Sequence, residues 1–524
     1  MRFRTLLPFL LTSLITVALL WFTQFPLGVE SEWNWDRIPF TAAETIAGWI
    51  ISGILFAVYL LLALTGLSRL PYCRRYEPAV WLTGLTLAGV FWSLHLQDSP
   101  AEEYGLSKAA FVLYYKGSSG YFTQAQSEIS DTSQFLSDYE TKMEQGDVLH
   151  EGTHPPGLPL FYLALIRLCD NYPGLQSFLL ETQSDSFQEA ADVIAGMTSN
   201  SANPLTPRDR AVLWLATLIT LTLSALTVVP LYLLAREFSS RAISWQVVVF
   251  WPLVPAALIF QPKSDALYPV IALLFLYLWV TACRRNNLLY AFLAGVLIWA
   301  GLFLTLAFLP VGVCAVCFSV LQRLPRLTGS TAIPPNWKAF ALISFSGLAG
   351  FCLPILILFT GFDLNLPRVW YLNFQNHAGF YDEYARTYWK WLLLNPLEIS
   401  LAVGLPVSWI IVRSICSRRL FTADQESPPA LKQLIFSCCL VLVLLWFSGK
   451  NMGEAARLWL IFLPWFLLMT IPYWQAIHEN QAREMNQADS FLKMQAVWIV
   501  ALTAQAVVCV ATVSRITGFH FPPA

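Results

Sequence analysis

Runs of about twenty apolar residues recur from one end of this chain to the other, and they constrain its fold more than any other feature. They lie near 5–24, 43–66, 79–96, 211–235, 242–260, 266–283, 288–304, 305–322, 339–360, 396–412, 431–448, 457–474 and 491–512, thirteen in all. A helix of that length matches the roughly 30 Å hydrocarbon core of a bilayer. Only 12% of the 524 residues are charged, about half the share usual in soluble proteins (~25%). The sequence therefore predicts an all-α, polytopic membrane protein of about 13 transmembrane helices. A net charge of −1 with no clustered basic face excludes a nucleic-acid partner.

Basic residues orient these spans. Arg69, Arg74 and Arg75 follow the second span, and Arg236 and Arg241 the fourth. Arg284 and Arg285 follow the sixth, and Arg323, Arg326 and Lys338 the eighth. Arg413, Arg418 and Arg419 follow the tenth, and Arg483 the twelfth. All fall on the side of Arg2 and Arg4, so the N-terminus is expected in the cytoplasm and the C-terminus outside. The first apolar run has no small-residue cleavage pattern after it and reads as an uncleaved signal anchor. The apolar piece Leu158 to Leu168 is too short to span, and counting it would put Arg236, Arg241, Arg284 and Arg285 outside. It reads as an interfacial or re-entrant helix begun by Pro155 and Pro156.

This parity leaves one large extracytoplasmic insert, residues 97–210, inside a membrane core of residues 79–360. Residues 1–78 form an N-terminal two-helix segment, and 361–524 a C-terminal membrane region with outer loops 362–396 and 449–457. Between Gln97 and His154 the insert holds ten acids against three lysines. Phe135, Leu136, Tyr139 and Met143 recur at helical spacing, as do Phe187, Ala190, Ala191 and Ile194. Both sets predict amphipathic helices lying on the membrane surface. The ten cysteines fall mostly within apolar runs and read as small apolar fillers. No ionisable residue occupies the middle of a span, which counts against an ion-coupled transporter.

The chemistry is therefore expected at the outer face, in four clusters. At the head of the insert stand Asp98, Glu102 and Glu103; a carboxylate there suits a general base, or a ligand for Mg or Mn against a phosphate. The plain alternative is a solvated acidic loop. The second cluster is the Gly120-Tyr121-Phe122-Thr123-Gln124-Ala125 stretch with Asp131, a further acidic candidate, and then His150-Glu151-Gly152-Thr153-His154-Pro155-Pro156-Gly157, which closes the acidic stretch. Two of six histidines within five residues suit phosphate binding, metal ligation or proton relay; a turn role is the alternative. Lys263 and Asp265 share a tight outer turn, where Asp265 could simply cap the next helix. Lys450, Glu454 and Arg457 lie in Gly449 to Trp459. An arginine at a helix start opposes the dipole, so an anion is expected beside it, either Glu454 or a lipid phosphate held in a fork. His377 and Arg386 add polar groups among aromatics in the long outer loop, a setting suited to a sugar or headgroup.

Taken together, the acidic first outer loop, the His154-Pro155-Pro156-Gly157 run, the Asp265 turn and Gly453-Glu454-Ala455-Ala456-Arg457-Leu458-Trp459 resemble bacterial membrane glycosyltransferases of the C-type (GT-C) superfamily. That superfamily includes protein O-mannosyltransferases and aminoarabinose transferases. The similarity covers about 79 to 475. The chain differs in having two spans ahead of the core and in lacking an unambiguous Asp-Asp or Asp-Glu pair. The resemblance implies a plasma-membrane enzyme that moves a sugar from a polyprenyl-phosphate carrier to a glycan, lipid or protein acceptor on the outer face. It implies that Asp98, Glu102, Glu103 or Asp131 is the base or metal ligand. Outer-face basic residues, Arg457 and Lys263 among them, would hold the carrier phosphate. A flippase, or an outer-face polymerase or ligase using lipid diphosphate, shares the same architecture.

Overall fold

A computed structural model describes residues 3–97, 99–100, 104–323, 336–417, 428–482 and 487–519. The protein is mostly helical and multi-pass. Among the described residues, nine helices are long and apolar enough to cross a membrane. Tyr388–Val403 and Leu405–Ile415 make a tenth crossing if taken together, although they meet at 111°. Thr5–Trp21 and Leu288–Leu304 are apolar but shorter. The expected count of thirteen is thus not reached by continuous long helices.

The clearest departure is the stretch expected as a span at 242–260. Here Pro252 and Pro255 remove amide donors and clash with a continuing helix. The chain instead forms Arg241–Val248, a tight turn at Trp251–Leu253 and a short Ala256–Ile259 helix. It still travels from one end of the protein to the other. Arg241 donates to the carbonyl of Cys73 at 2.8 Å, and Lys263 meets His150 at the opposite end. Irregular backbone at membrane depth survives only where protein satisfies its polar groups. Every residue from Ser244 to Phe260 is buried, and neighbouring side chains supply the missing donors. Tyr59 Oη donates to Val249 O (2.6 Å), Gln505 Nε2 to Leu253 O (3.0 Å), Trp498 Nε1 to Gln246 O (3.2 Å) and Gln97 Nε2 to Leu258 O.

Arginines are engaged at both ends of the protein. Arg284 and Arg285 both pair with Glu237, and Gln475 reaches the carbonyl of Phe238 in the same neighbourhood. At the other end, Arg515 donates to Ile38 O, and Arg37 bridges Ile516. The far C-terminal turn and the loop after the first helix therefore share one face.

The insert departs from expectation in its packing. The periodic residues do form helices, but their apolar faces meet protein rather than lying on a bilayer. Phe187, Ala190, Ala191 and Ile194 of Asp185–Thr198 enter a separate core with Ala109, Ala110, Phe122, Leu158 and Trp214. Leu136, Tyr139 and Met143 pack against Leu366, Val369 and Leu372 of helix Leu366–Glu383. Burying large apolar side chains against protein satisfies the same hydrophobic drive that a lipid surface would. Gly157–Asn171, at 15 residues, is about 22 Å long and stays within this helical layer, as its length requires.

Candidate functional site

The site forms where four segments meet at one end of the protein. The His150–Thr153 turn is pinned from outside by helix Leu366–Glu383. Asn373 Nδ2 donates to Gly152 O at 2.8 Å and Asn376 Nδ2 to the same oxygen at 2.9 Å. Tyr139 Oη donates to His154 O at 2.9 Å. These bonds aim both imidazoles inward, against the ring of Tyr121, whose centroid lies 6.2 Å from His150 and 5.5 Å from His154.

Lys263 enters from the turn that ends the broken crossing. It is only 3% exposed, and its Nζ lies 3.3 Å from His150 Nε2. No carboxylate among the described residues is close enough to pair with it. Burial, reinforced by the charge of Arg457, brings the Lys263 amine down to about 7. Burial and then the charges of Lys263 and Arg457 hold His150 well below the usual histidine range. His154 is lowered to about 3 by burial, Lys263 and His377. Both imidazoles are therefore neutral at pH 7. The Thr153 hydroxyl donates to Leu149 O and so accepts from His154 Nδ1 at 3.0 Å. This pattern assigns the proton to Nδ1 and leaves Nε2 as a bare lone pair.

Arg457 comes from the fourth segment. Its Nη2 donates to Glu454 Oε2 at 2.7 Å, so Glu454 is the anion that sequence reasoning required beside it. That pair uses only part of the guanidinium. The Arg457 side chain is 14% exposed, and its buried Nε has no acceptor. The turn that carries it is tightly built. Met452 N donates to Tyr381 Oη (2.8 Å), Asn395 Nδ2 to Asn451 O (2.7 Å) and Trp459 Nε1 to Asn451 Oδ1 (3.1 Å). Gly453 has φ +80°, and a Cβ there would lie 3.3 Å from the Trp391 ring, so backbone freedom and close approach both favour glycine.

Asp265 is close enough to act electrostatically on the same groups. Its charge acts on Lys263, Arg457, Tyr121 and Tyr268. Asp265 does not cap a helix, contrary to the plain alternative: Lys263 occupies the cap position of Ser264–Leu267, with no side-chain cap bond. Among the described residues its carboxylate has no hydrogen-bond or ion-pair partner. The result is two cations, two neutral imidazoles, a tyrosine and one unengaged carboxylate grouped by ring contact, the Lys263–His150 contact and mutual charge. Such a set suits a phosphate and a hydroxyl that must lose a proton.

The remaining candidates divide. His377 neighbours His154 electrostatically, and Lys450 lies 4.7 Å over the Phe374 ring on the same helix, so both border the site. Arg386 is diverted to the carbonyl of Glu32. Asp131 is an exposed helix cap, accepting from Ser133 N at 2.7 Å and Gln134 N at 3.4 Å, and none of its contacts reaches the cluster. Asp98, Glu102 and Glu103 lie outside the described residues. Among the described residues no three His, Cys, Asp or Glu side chains gather as a metal site.

Tyr121, from the Gly120–Ala125 stretch grouped with the histidines in the sequence, packs its ring against both imidazoles. Two features escaped sequence reasoning. Lys108 is buried with its Nζ 3.4 Å from Ile259 O. A two-stranded hairpin, Gly28–Val29 paired with Trp33–Asn34, brings Glu32 and Trp33 to the site's edge. The density of Glu30, Glu32, Trp33, Trp35, Asp36 and Arg37 in one short loop was the available signal for the hairpin. The fold and site define a membrane-embedded, multi-pass helical protein with a buried polar centre at one end. No protein-family profile matches the chain, and no curated protein matches it.

Proposed function

We propose that this centre binds the phosphate of a polyprenyl-phosphate-linked sugar and that the protein transfers the sugar to an acceptor hydroxyl, as a glycosyltransferase of the GT-C kind. The observation that carries the reading is the burial of Lys263 and Arg457 close enough for the charge of Arg457 to act on Lys263. Two buried cations, one without a carboxylate partner and one with an unmatched buried Nε–H, are costly unless an anion joins them. In the reaction the bond between the anomeric carbon and the phosphate oxygen breaks, and its electron pair stays on the departing phosphate. Lys263 and Arg457 stabilise the charge that grows there. The acceptor oxygen forms the new bond and its proton passes to a base, for which Asp265 is the carboxylate of this centre without a hydrogen-bond or ion-pair partner. His150 acts as a neutral acceptor that fixes Lys263, and His154 Nε2 accepts from a sugar or acceptor hydroxyl. The arginine-rich end is assigned to the cytoplasm of a bacterial plasma membrane, which puts the centre on the outer face.

Native mass spectrometry with a short polyprenyl phosphate tests the binding step, and release of polyprenyl phosphate from sugar-charged carriers tests the transfer. A flippase is the second reading. The broken crossing at 241–263 favours it, because transporters place discontinuous helices at their substrate paths. Against it, each carbonyl named above along that crossing is held by another side chain. Movement of labelled lipid across sealed vesicles without sugar release would favour the flippase, and preference for a lipid diphosphate would favour a polymerase or ligase.

A further inference from the structure

The N-terminal hairpin is not needed to complete any span, yet it joins two outer loops at the rim of the site. At one end, Glu32 is tied to the segment before the bent crossing. Trp391 Nε1 donates to Glu32 Oε2 at 2.7 Å, Thr387 N to the same oxygen at 2.8 Å, and Lys390 Nζ lies 3.4 Å from Oε1. Arg386 adds its bond to the Glu32 carbonyl. At the other end, Trp33 Nε1 donates to Glu454 Oε1 at 3.1 Å. The other oxygen of Glu454 holds Arg457.

Glu454 has an unusual backbone. Its φ is +52°, in the left-handed region that L-residues with side chains seldom adopt and that surrounding contacts must over-determine. Its carbonyl accepts from the amides of Arg457 and Leu458, both at 3.0 Å, so the strained residue starts the helical turn that bears Arg457. Trp33 and Trp391 also flank Gly453, the preceding residue, and their rings lie 6.3 Å apart.

We infer that Trp33 is a positioning residue: through its indole N–H it fixes Glu454, and Glu454 in turn aims Arg457 at the phosphate. The hairpin is thus a strap by which the two N-terminal helices complete a centre built by the rest of the chain. The inference rests on the phosphate-binding reading for its functional half and on the hydrogen-bond chain for its structural half.

The test uses the full-length protein in detergent, with Trp33→Phe, which keeps the ring and removes the donor. Hydrogen exchange at the amides of 455–459 and retention of a short polyprenyl phosphate are measured on the same samples. The expected result is faster exchange in that turn and roughly tenfold weaker retention, the scale of one hydrogen bond to a charged group. In a Glu454→Ala background Trp33→Phe should change neither readout further, because coupled residues are non-additive. Should Trp33→Phe fail to fold, Thr387→Val loosens the other end of the strap and should speed the same amides. Unchanged exchange across 449–459, or a Trp33→Phe effect equally large without Glu454, overturns the strap. If the parent protein retains no polyprenyl phosphate, the functional reading fails, and exchange alone decides the strap.

Discussion

Lys263 Nζ and His150 Nε2 meet at 3.3 Å although the residues are 113 positions apart. The contact ties the end of a broken crossing to the last turn of the acidic insert. It also leaves a buried amine with a single side-chain partner, a neutral imidazole.

That amine makes phosphate binding depend on pH. Lys263 is lowered from the ordinary 10.5 to about 7, so in the free protein its charge is present below pH 7 and lost as pH rises through it. Anion binding favours the charged form, so above pH 7 the bound state takes up a proton. Affinity for polyprenyl phosphate should fall by up to about tenfold per pH unit above pH 7. The phosphate is already dianionic there, its second pKa being about 6. Binding titrations from pH 6.5 to 9 check this, and Lys263→Met should give a weak, flat profile. An equally steep fall in Lys263→Met would assign the dependence to another group.

Asp265→Asn keeps the shape of the side chain and removes the base. Retention of polyprenyl phosphate should persist, while sugar release falls by roughly 10²–10⁴-fold, the usual contribution of general base catalysis. Turnover within a factor of a few of the parent would show that the proton goes elsewhere.

Gln505 serves both irregular crossings at once. Its Nε2 donates to Leu253 O at 3.0 Å in the broken stretch and to Val403 O at 2.8 Å beside the 111° bend. Gln505→Leu leaves both buried carbonyls without that donor, each costing about 1–3 kcal/mol. Thermal unfolding in detergent should drop by several degrees, with phosphate retention per folded molecule unchanged.

Gly350 lets helix Trp337–Phe362 touch helix Leu288–Leu304. A Cβ there would lie 2.0 Å from Phe292 O, a backbone atom that cannot yield by rotating. Gly350→Ala should destabilise by about 1–3 kcal/mol, as overpacking does, and leave binding intact. An unchanged melting temperature would mean that these helices separate at low cost.

Much of this arrangement was legible because a bilayer sorts residues by simple rules. Runs of apolar residues and flanking arginines gave the two ends of the protein, and polar residues crowded at one end gave His150, His154, Lys263, Asp265, Glu454 and Arg457 as candidates. What hydropathy does not encode is how outer loops pack on each other. Nothing local in the sequence pairs Glu32 with Trp391, or diverts Arg386 from the site to the Glu32 carbonyl. Two further signals are local in the sequence. Asp131-Thr132-Ser133-Gln134 has the pattern of a helix cap, and Pro252 with Pro255 in one apolar run is enough to break a helix. The amphipathic periods in the insert were real, but periodicity alone does not say whether an apolar face meets lipid or protein.

The central claim is that Arg457 and Lys263 hold a lipid-linked phosphate. Native mass spectrometry of the parent and of Arg457→Ala, each with a short polyprenyl phosphate, addresses it most directly. The account predicts one bound lipid on the parent and loss of that species from a folded Arg457→Ala protein. Equal retention by the two proteins, or none by the parent, would contradict it.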